Sequence, residues 1–463
     1  MKKDLFYNRT NVWNSASAEK RREIFKTGAD FERFNDAAKT ERLAVKELLR
    51  RAKAGGFRDI ETLDSLKPGD RVWFCDRGKF LVLAVIGEAP ASGGINIVVS
   101  HTDAARLDLR ICPLYEDSGF ALLMTSTYSF EKLAKWTTMP LVLYGTAVRS
   151  DGSVVDISWG DKPDEPALFI TDVSAHYSSA QLAKNYKDCY DPEKMNVFAG
   201  SFPADDPTSP TPVKENILRI LNEKFGLCEE DLVSAELELV PEGATRDVGF
   251  DGSAICGYGF DDRVAVYAGM RGILECGAPA RTAAAVFVDK EEVGFTGRSS
   301  SKSSALDYFM ELLLEKSVSS CGISSLHRMQ RGTNVLSVEG VCGHDPSYPE
   351  IFERRCGSLL GYGIQLMKLP SHPSKVDASE ADAEFLGKLR CLFNANGIVW
   401  QPFGDIERVG GFSTVSIDFS NRNMNVADAS ICVLSTHSPY EFVLKSDLHE
   451  ACLACRAFLE QMP

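Results

Sequence analysis

Residues 282–294 read Thr-Ala-Ala-Ala-Val-Phe-Val-Asp-Lys-Glu-Glu-Val-Gly. An apolar run closed by charged residues predicts a buried strand that delivers acids at its carboxyl end. Adjacent side chains leaving a strand point in different directions. Glu291 and Glu292 can therefore divide two tasks, one facing a metal-bound water as general base and the other holding the metal. Alone, a Glu-Glu pair is more often a solvated acidic turn. The decision rests on where the other apolar runs stop.

They stop on the same chemistry. Ile95–Val99 ends at Ser100-His101-Thr102-Asp103, and the segment 255–260 ends at Asp261-Asp262. Residues 334–338 end at Glu339, and 431–434 lead to His437. In open α/β sheets, ligands bind outside the carboxyl ends of strands. Zinc takes imidazole nitrogen and carboxylate oxygen, and its catalytic sites keep a position open for water. Two zinc ions need a bridging carboxylate and two terminal ligands each. Asp261 supplies the bridge, His101 and Glu339 serve one ion, and Glu292 and His437 serve the other. Glu291 remains as general base, and Asp103 can accept the second N–H of His101. Co²⁺ or Mn²⁺ would also suit these donors. Asp262 reads as the N-cap of a helix over 264–275 and as a group supporting the ligands rather than a ligand itself. Taken singly each residue is weak evidence, since a lone histidine is more often a hydrogen-bonded structural one. His327, His344, His372 and His449 have no comparable context.

A chain of 463 residues exceeds the size at which one core usually stops growing, so two domains are expected. Its 44% hydrophobic content is that of an ordinary globular protein. A net charge of -14 argues against nucleic acid as a partner. No apolar run reaches the roughly 18 residues of a membrane span, and the start has no signal-peptide core. The 13 scattered cysteines fit reduced thiols in the cytoplasm. Cys452 and Cys455 share a CxxC spacing but stand alone in the helical stretch 448–459, where they read as packing residues. Helices are expected over 16–55, 264–275, 304–315 and 381–396, and strands over 72–74 and 80–86. Residues 106–245 change to short strands (140–144, 154–158, 167–171) and turns, with a polar, proline-rich loop over 202–212. From 246 onward strands and helices alternate again. The architecture expected is one α/β domain, 1–105 and 246–463, with 106–245 inserted into it.

Further stretches carry a family likeness: Arg106-Leu-Asp-Leu, 113–123 (Pro-Leu-Tyr-Glu-Asp-Ser-Gly-Phe-Ala-Leu-Leu), Arg246-Asp-Val-Gly-Phe-Asp, Asp261-Asp-Arg-Val and Val433-Leu-Ser-Thr-His-Ser. With the segments above, they resemble the aspartyl aminopeptidase family of dinuclear zinc exopeptidases, in its bacterial branch. The resemblance implies a catalytic domain with a central mixed β-sheet flanked by helices, interrupted by a mostly-β dimerisation domain. It implies the same residue roles and a homo-oligomer, tetrahedral and commonly a dodecamer. It implies removal of N-terminal residues, preferentially acidic, from peptides. Lys368 and Lys375, in a segment matching a lysine-bearing loop of the family, and His176 in the insertion are the candidate substrate contacts.

Departures are concentrated around the substrate. Glu339 stands where the family usually has Asp. In Thr125–Trp136, Ser126 replaces a histidine and Ser129-Phe130 replace two glycines; Tyr144 replaces another histidine. Phe412 interrupts a glycine run at 410–414. Three readings therefore stay open: an active aminopeptidase using a dizinc-activated water, a weak or inactive relative kept for assembly or peptide binding, and an aminopeptidase of changed specificity.

Overall fold

The computed structural model describes residues 5–129, 131–317, 324–351, 358–369, 379–404 and 414–463. Lys375, His372, Phe130 and residues 410–413 lie outside them. By its contacts the chain divides into two compact units. One comprises residues 1–103, 245–436 and 441–463; the other comprises 104–244 with 437–440.

The larger unit carries a 12-stranded mixed sheet among the described residues. Four parallel strands form its middle, in the order Ala283–Val288, Asn96–His101, Asn334–Cys342 and Asn425–Leu434. They are covered on both faces, which is why their sequences are nearly continuous apolar runs. Ala283, Ala285 and Phe287 pack with Val98, Leu336 and Val338 among residues of the helices Phe260–Glu275 and Lys445–Gln461. The alternate residues Ala284, Val286 and Val288 pack with Ile97, Val99 and Val335 against Ala305–Ser317. Cys452 and Cys455 are buried in the first of these clusters. Near the amino terminus, Ser17 and Thr40 cap the helices Ala18–Ala37 and Glu41–Ala54 by accepting from Lys20 and Leu43 N–H groups.

The amino ends of three parallel strands are tied by side-chain amides. Asn334 lies in register with both Asn96 and Asn425. Its Nδ2 donates to Asn96 Oδ1 at 3.1 Å, and Asn425 Nδ2 donates to Asn334 Oδ1 at 3.1 Å. The ladder also holds the last carbonyls of the chain, through Asn96 to Met462 (2.8 Å) and Asn334 to Pro463 (3.1 Å).

The smaller unit is mostly β. Six of its strands close into an antiparallel ring, Leu107–Asp117, Phe120–Thr127, Val197–Gly200, Leu168–Ile170, Pro140–Val148 and Glu236–Pro241; Val154–Trp159 pairs on the outside of Pro140–Val148. It also contains a 14-residue helix, Pro212–Phe225, which the strand-and-turn reading leaves out. Proline suits the first helical turn and Gly226 ends it at φ 70°. Glu116 accepts from the N–H groups of Val213 and Lys214 at 2.9 and 3.0 Å, satisfying its amino end. Among the described residues no helix is long and apolar enough to cross a membrane.

Candidate active site

The carboxyl end of the parallel strands gathers the acids. His101 closes its own strand and stands in register with Val288. Glu339 does not end its strand as expected. The strand runs on to Cys342, with Glu339 opposite Ser430, because Gly340, Val341 and Cys342 continue the pairing with 431–433. The pairing of this strand with Asn96–His101 runs from Asn334–Asn96 to Ser337–Val99, two residues short of Glu339 and His101.

The Asp261-Asp262 pair opens the helix Phe260–Glu275 with non-helical dihedrals. Asp262 does not cap that helix. Its carboxylate accepts from His101 N at 3.0 Å and Gly340 N at 2.8 Å, tying two parallel strands beside the candidate ligands. Gly340 allows this approach, since a Cβ there would come within 3.1 Å of Phe260 O. Asp261 is held in turn by its own N–H, which donates to Glu441 Oε2 at 2.9 Å.

After Val288 the chain turns sharply, with Lys290 at φ 70° and Phe295 N–H returning to Lys290 O at 2.8 Å. This turn presents the N–H groups of Glu291 and Glu292 to the two oxygens of Asp103, each at 3.2 Å. His101 Nδ1 also faces Asp103, at 3.1 Å from its carbonyl and 3.3 Å from its carboxylate. Nε2 is thereby turned the other way, 3.5 Å from Asp261 Oδ1 and 3.8 Å from Glu291 Oε2.

The electrostatics are those of too many acids for the cations present. Burial pushes Glu291 up to about 8, the neighbouring Glu292, Asp103 and Asp261 adding to the effect and His101 opposing it. Burial raises Glu339 well above the carboxylate range, with Glu291 and Asp262 contributing. Burial likewise raises Asp262. Asp289, buried and bonded to Ser299 Oγ at 2.7 Å, is pushed to about 6 by burial and by Glu41 and Asp103. Burial opposes charge on His101, but Asp262, Asp103, Asp261 and Glu291 outweigh it and raise its pKa.

Metal cations fit this donor set. His101, Asp261 and Asp262 offer one ligand atom each within 4.8 Å of one another, and Asp261 and Glu292 bring carboxylate oxygens equally close. Oxygen and imidazole nitrogen are the donors zinc takes, and a cation would relieve the repulsion that raises Glu291, Glu339 and Asp262.

His437 lies in the turn after Asn425–Leu434 at φ 59°, and its contacts place it with the smaller unit. There Lys135, in the short turn Leu133–Trp136 that follows the strand Phe120–Thr127 and a loop, donates to Ser438 Oγ at 2.8 Å. Glu131 of the same loop accepts from the N–H groups of Tyr128 and Ser129. Tyr144 bonds Asp161. His176 is exposed in a short 3-10 turn. Lys368 is 61% exposed and pairs with Glu380 at 3.2 Å. The roles of Asp262 as a strand tie and of Glu441 as an anchor for Asp261 were not legible beforehand. The Asp-Asp pair was the available signal for the first, and nothing marked the second.

An α/β sheet with imidazole and carboxylates at the carboxyl edge of its parallel strands has the makings of a metal-dependent hydrolase, and known proteins agree. Residues 34–459 match the family model described as aminopeptidase I zinc metalloprotease (M18). A Clostridium acetobutylicum protein named as a probable M18 family aminopeptidase 1 is 35% identical over 468 residues, covering 99% of this chain and 100% of that one. The crystal structure of an M18-family aminopeptidase from Thermotoga maritima superimposes with a TM-score of 0.94 at 31% identity, covering 99% and 100% of the two chains. A structure described as the S. cerevisiae mApe1 dodecamer shares the fold, with a TM-score of 0.75 at 17% identity over 95% and 97% of the chains. The chain belongs to the M18 peptidase family, and it is a zinc aminopeptidase.

Proposed function

We propose that the protein binds two zinc ions and uses Glu291 to move the proton in removing N-terminal residues, preferentially Asp or Glu, from peptides. The observation that carries this reading is Asp261, which offers a carboxylate oxygen within 4.8 Å of ligand atoms of both His101 and Glu292. In this reading His101 and Glu339 would hold one ion, Glu292 and His437 would hold the other, and Asp261 would serve both. Zinc, when bound, supplies a Lewis acid for the scissile carbonyl and acidifies water. Asp103 fixes His101 so that Nε2 is the nitrogen offered for ligation. Glu291 takes a proton from the attacking water as its oxygen bonds the carbonyl carbon. It returns a proton to the amine nitrogen as the C–N bond breaks. Glu292 and Glu291 keep their separate directions because Asp103 grips both of their N–H groups.

Lys368 and Lys375 are proposed to meet the acidic side chain of the substrate, with His176 as a further substrate contact. The mApe1 dodecamer supports a homo-oligomer, and the scattered cysteines support a cytoplasmic setting. Co²⁺ or Mn²⁺ would satisfy the same donors.

The test is the initial rate of the zinc-loaded protein on matched peptides beginning with Glu, Asp, Ala or Leu, with Glu291→Gln as the blank. Expected is Glu291-dependent cleavage, fastest on the acidic peptides. Equal rates on all four would replace the acidic preference with a broader one, in line with the altered 125–136 loop. No cleavage above the blank by a zinc-loaded protein would return the chain to the inactive reading.

A further inference from the structure

Asp428 is an acid in the middle of a strand buried on both faces, 2% exposed. It is met by hydroxyls. Thr414 Oγ1 donates to Oδ1 at 2.7 Å and Ser416 Oγ to Oδ2 at 3.0 Å. The two hydroxyls are themselves 2.6 Å apart, and Ser416 N–H donates to Thr414 Oγ1 at 3.3 Å. One carboxylate thus clamps both ends of the turn Thr414-Val415-Ser416. The residue between them, fully buried, aims its N–H at Glu339 Oε1, 3.2 Å away.

We infer that Asp428 is a positioning residue for Glu339, acting through this turn; the inference rests on the reading of Glu339 as a metal ligand. Glutamate has three side-chain torsions, and a carboxylate free to swing presents its oxygens to an ion poorly. The Val415 N–H engages one oxygen and leaves Oε2 to the site. Partners that orient a ligand from behind commonly change metal affinity by about 10- to 100-fold when removed. Thr414, Val415, Ser416, Asp428 and Glu339 are all buried, so the turn does not trade these bonds for water. The geometry is therefore a rigid relay from the Asp428 carboxylate to the Glu339 carboxylate, two residues apart in strand register.

The experiment measures zinc affinity of the full chain by competition with a chromophoric chelator, with circular dichroism confirming the fold of each variant. Asp428→Ala and Thr414→Val are each expected to weaken zinc binding about 10- to 100-fold. Asp428→Asn keeps an acceptor for Thr414 and offers an N–H to Ser416 Oγ, so it recovers most of the loss. An Asp428→Asn as weak as Asp428→Ala assigns the loss to missing charge rather than to the turn and overturns the proposal. So does parental affinity in folded Asp428→Ala or Thr414→Val while Glu339→Ala is weakened. Parental affinity in Glu339→Ala itself would instead remove Glu339 from the metal, and the inference with it. If Asp428→Ala does not fold, Thr414→Val, which removes one donor and keeps the side-chain shape, decides.

Discussion

The parallel strands of the larger unit end in opposite ways. At the amino ends, Asn96, Asn334 and Asn425 stand in register, and their amides join one another and the carbonyls of Met462 and Pro463. At the carboxyl ends, Asp103, Asp261, Asp262, Glu291, Glu292 and Glu339 crowd around His101, with several of them raised by burial and mutual repulsion. One edge has donors matched to acceptors and needs nothing more. The other holds charge that the chain alone does not balance. The difference separates what keeps the sheet in register from what the sheet is in register for.

The largest effect expected from this division is on turnover. Glu291→Gln should lower kcat of the zinc-loaded enzyme by about 10²- to 10⁴-fold, the usual contribution of a general base, with zinc content held. An unchanged rate would remove Glu291 from the chemistry. Stability against pH should sharpen the contrast next. A carboxyl whose folded pKa lies above its unfolded one makes the folded state bind more protons. Stability then falls as pH rises through that window. For Glu291 the window runs from the ordinary 4.5 to about 8, and for Asp289 from 3.8 to about 6. The raised His101 acts in the same direction. The metal-free protein should therefore melt lower at about pH 8 than at about pH 5, with the gap between it and the zinc-loaded protein widening as pH rises. Parallel melting curves for the two forms would break the comparison.

The amino edge should respond in the opposite sense. Asn334→Ala leaves buried partners unsatisfied and should cost about 1–3 kcal/mol in denaturant unfolding, while kcat of the folded enzyme stays within about twofold. A large fall in kcat without a fall in stability would show that the two ends are not separable. The smallest effect concerns substrate choice. Lys368→Glu should reduce the preference for Glu over Ala peptides by a few-fold, as expected of an exposed charge, and no change would take Lys368 out of the substrate pocket.

Much of the site was legible because apolar runs break where a covered sheet meets its ligand edge. Val288 followed by Asp-Lys-Glu-Glu is such a break. Glu339 misled for the same reason. A charged residue reads as the end of a strand, yet here the strand carries a buried acid and continues for three more residues. Asp428 was invisible, since a single acid within Val-Ala-Asp-Ala-Ser has no spacing to betray it, and its partners at 414 and 416 are distant in sequence from the strand. Asp262 was read as a helix cap that also supports the ligands; the cap is replaced by bonds to two strands far along the chain. The helix Pro212–Phe225 was obscured by the proline-rich segment before it, although Pro212 and Gly226 mark its two ends.

Asp103 grips the N–H groups of Glu291 and Glu292 and faces His101 Nδ1. The consequence is genetic. Substitutions at 101, 103 and 291 act on one shared part, so their effects combine non-additively. A variant lineage that takes up new peptides has little room to adjust this triangle one residue at a time. Its freedom lies outside the triangle.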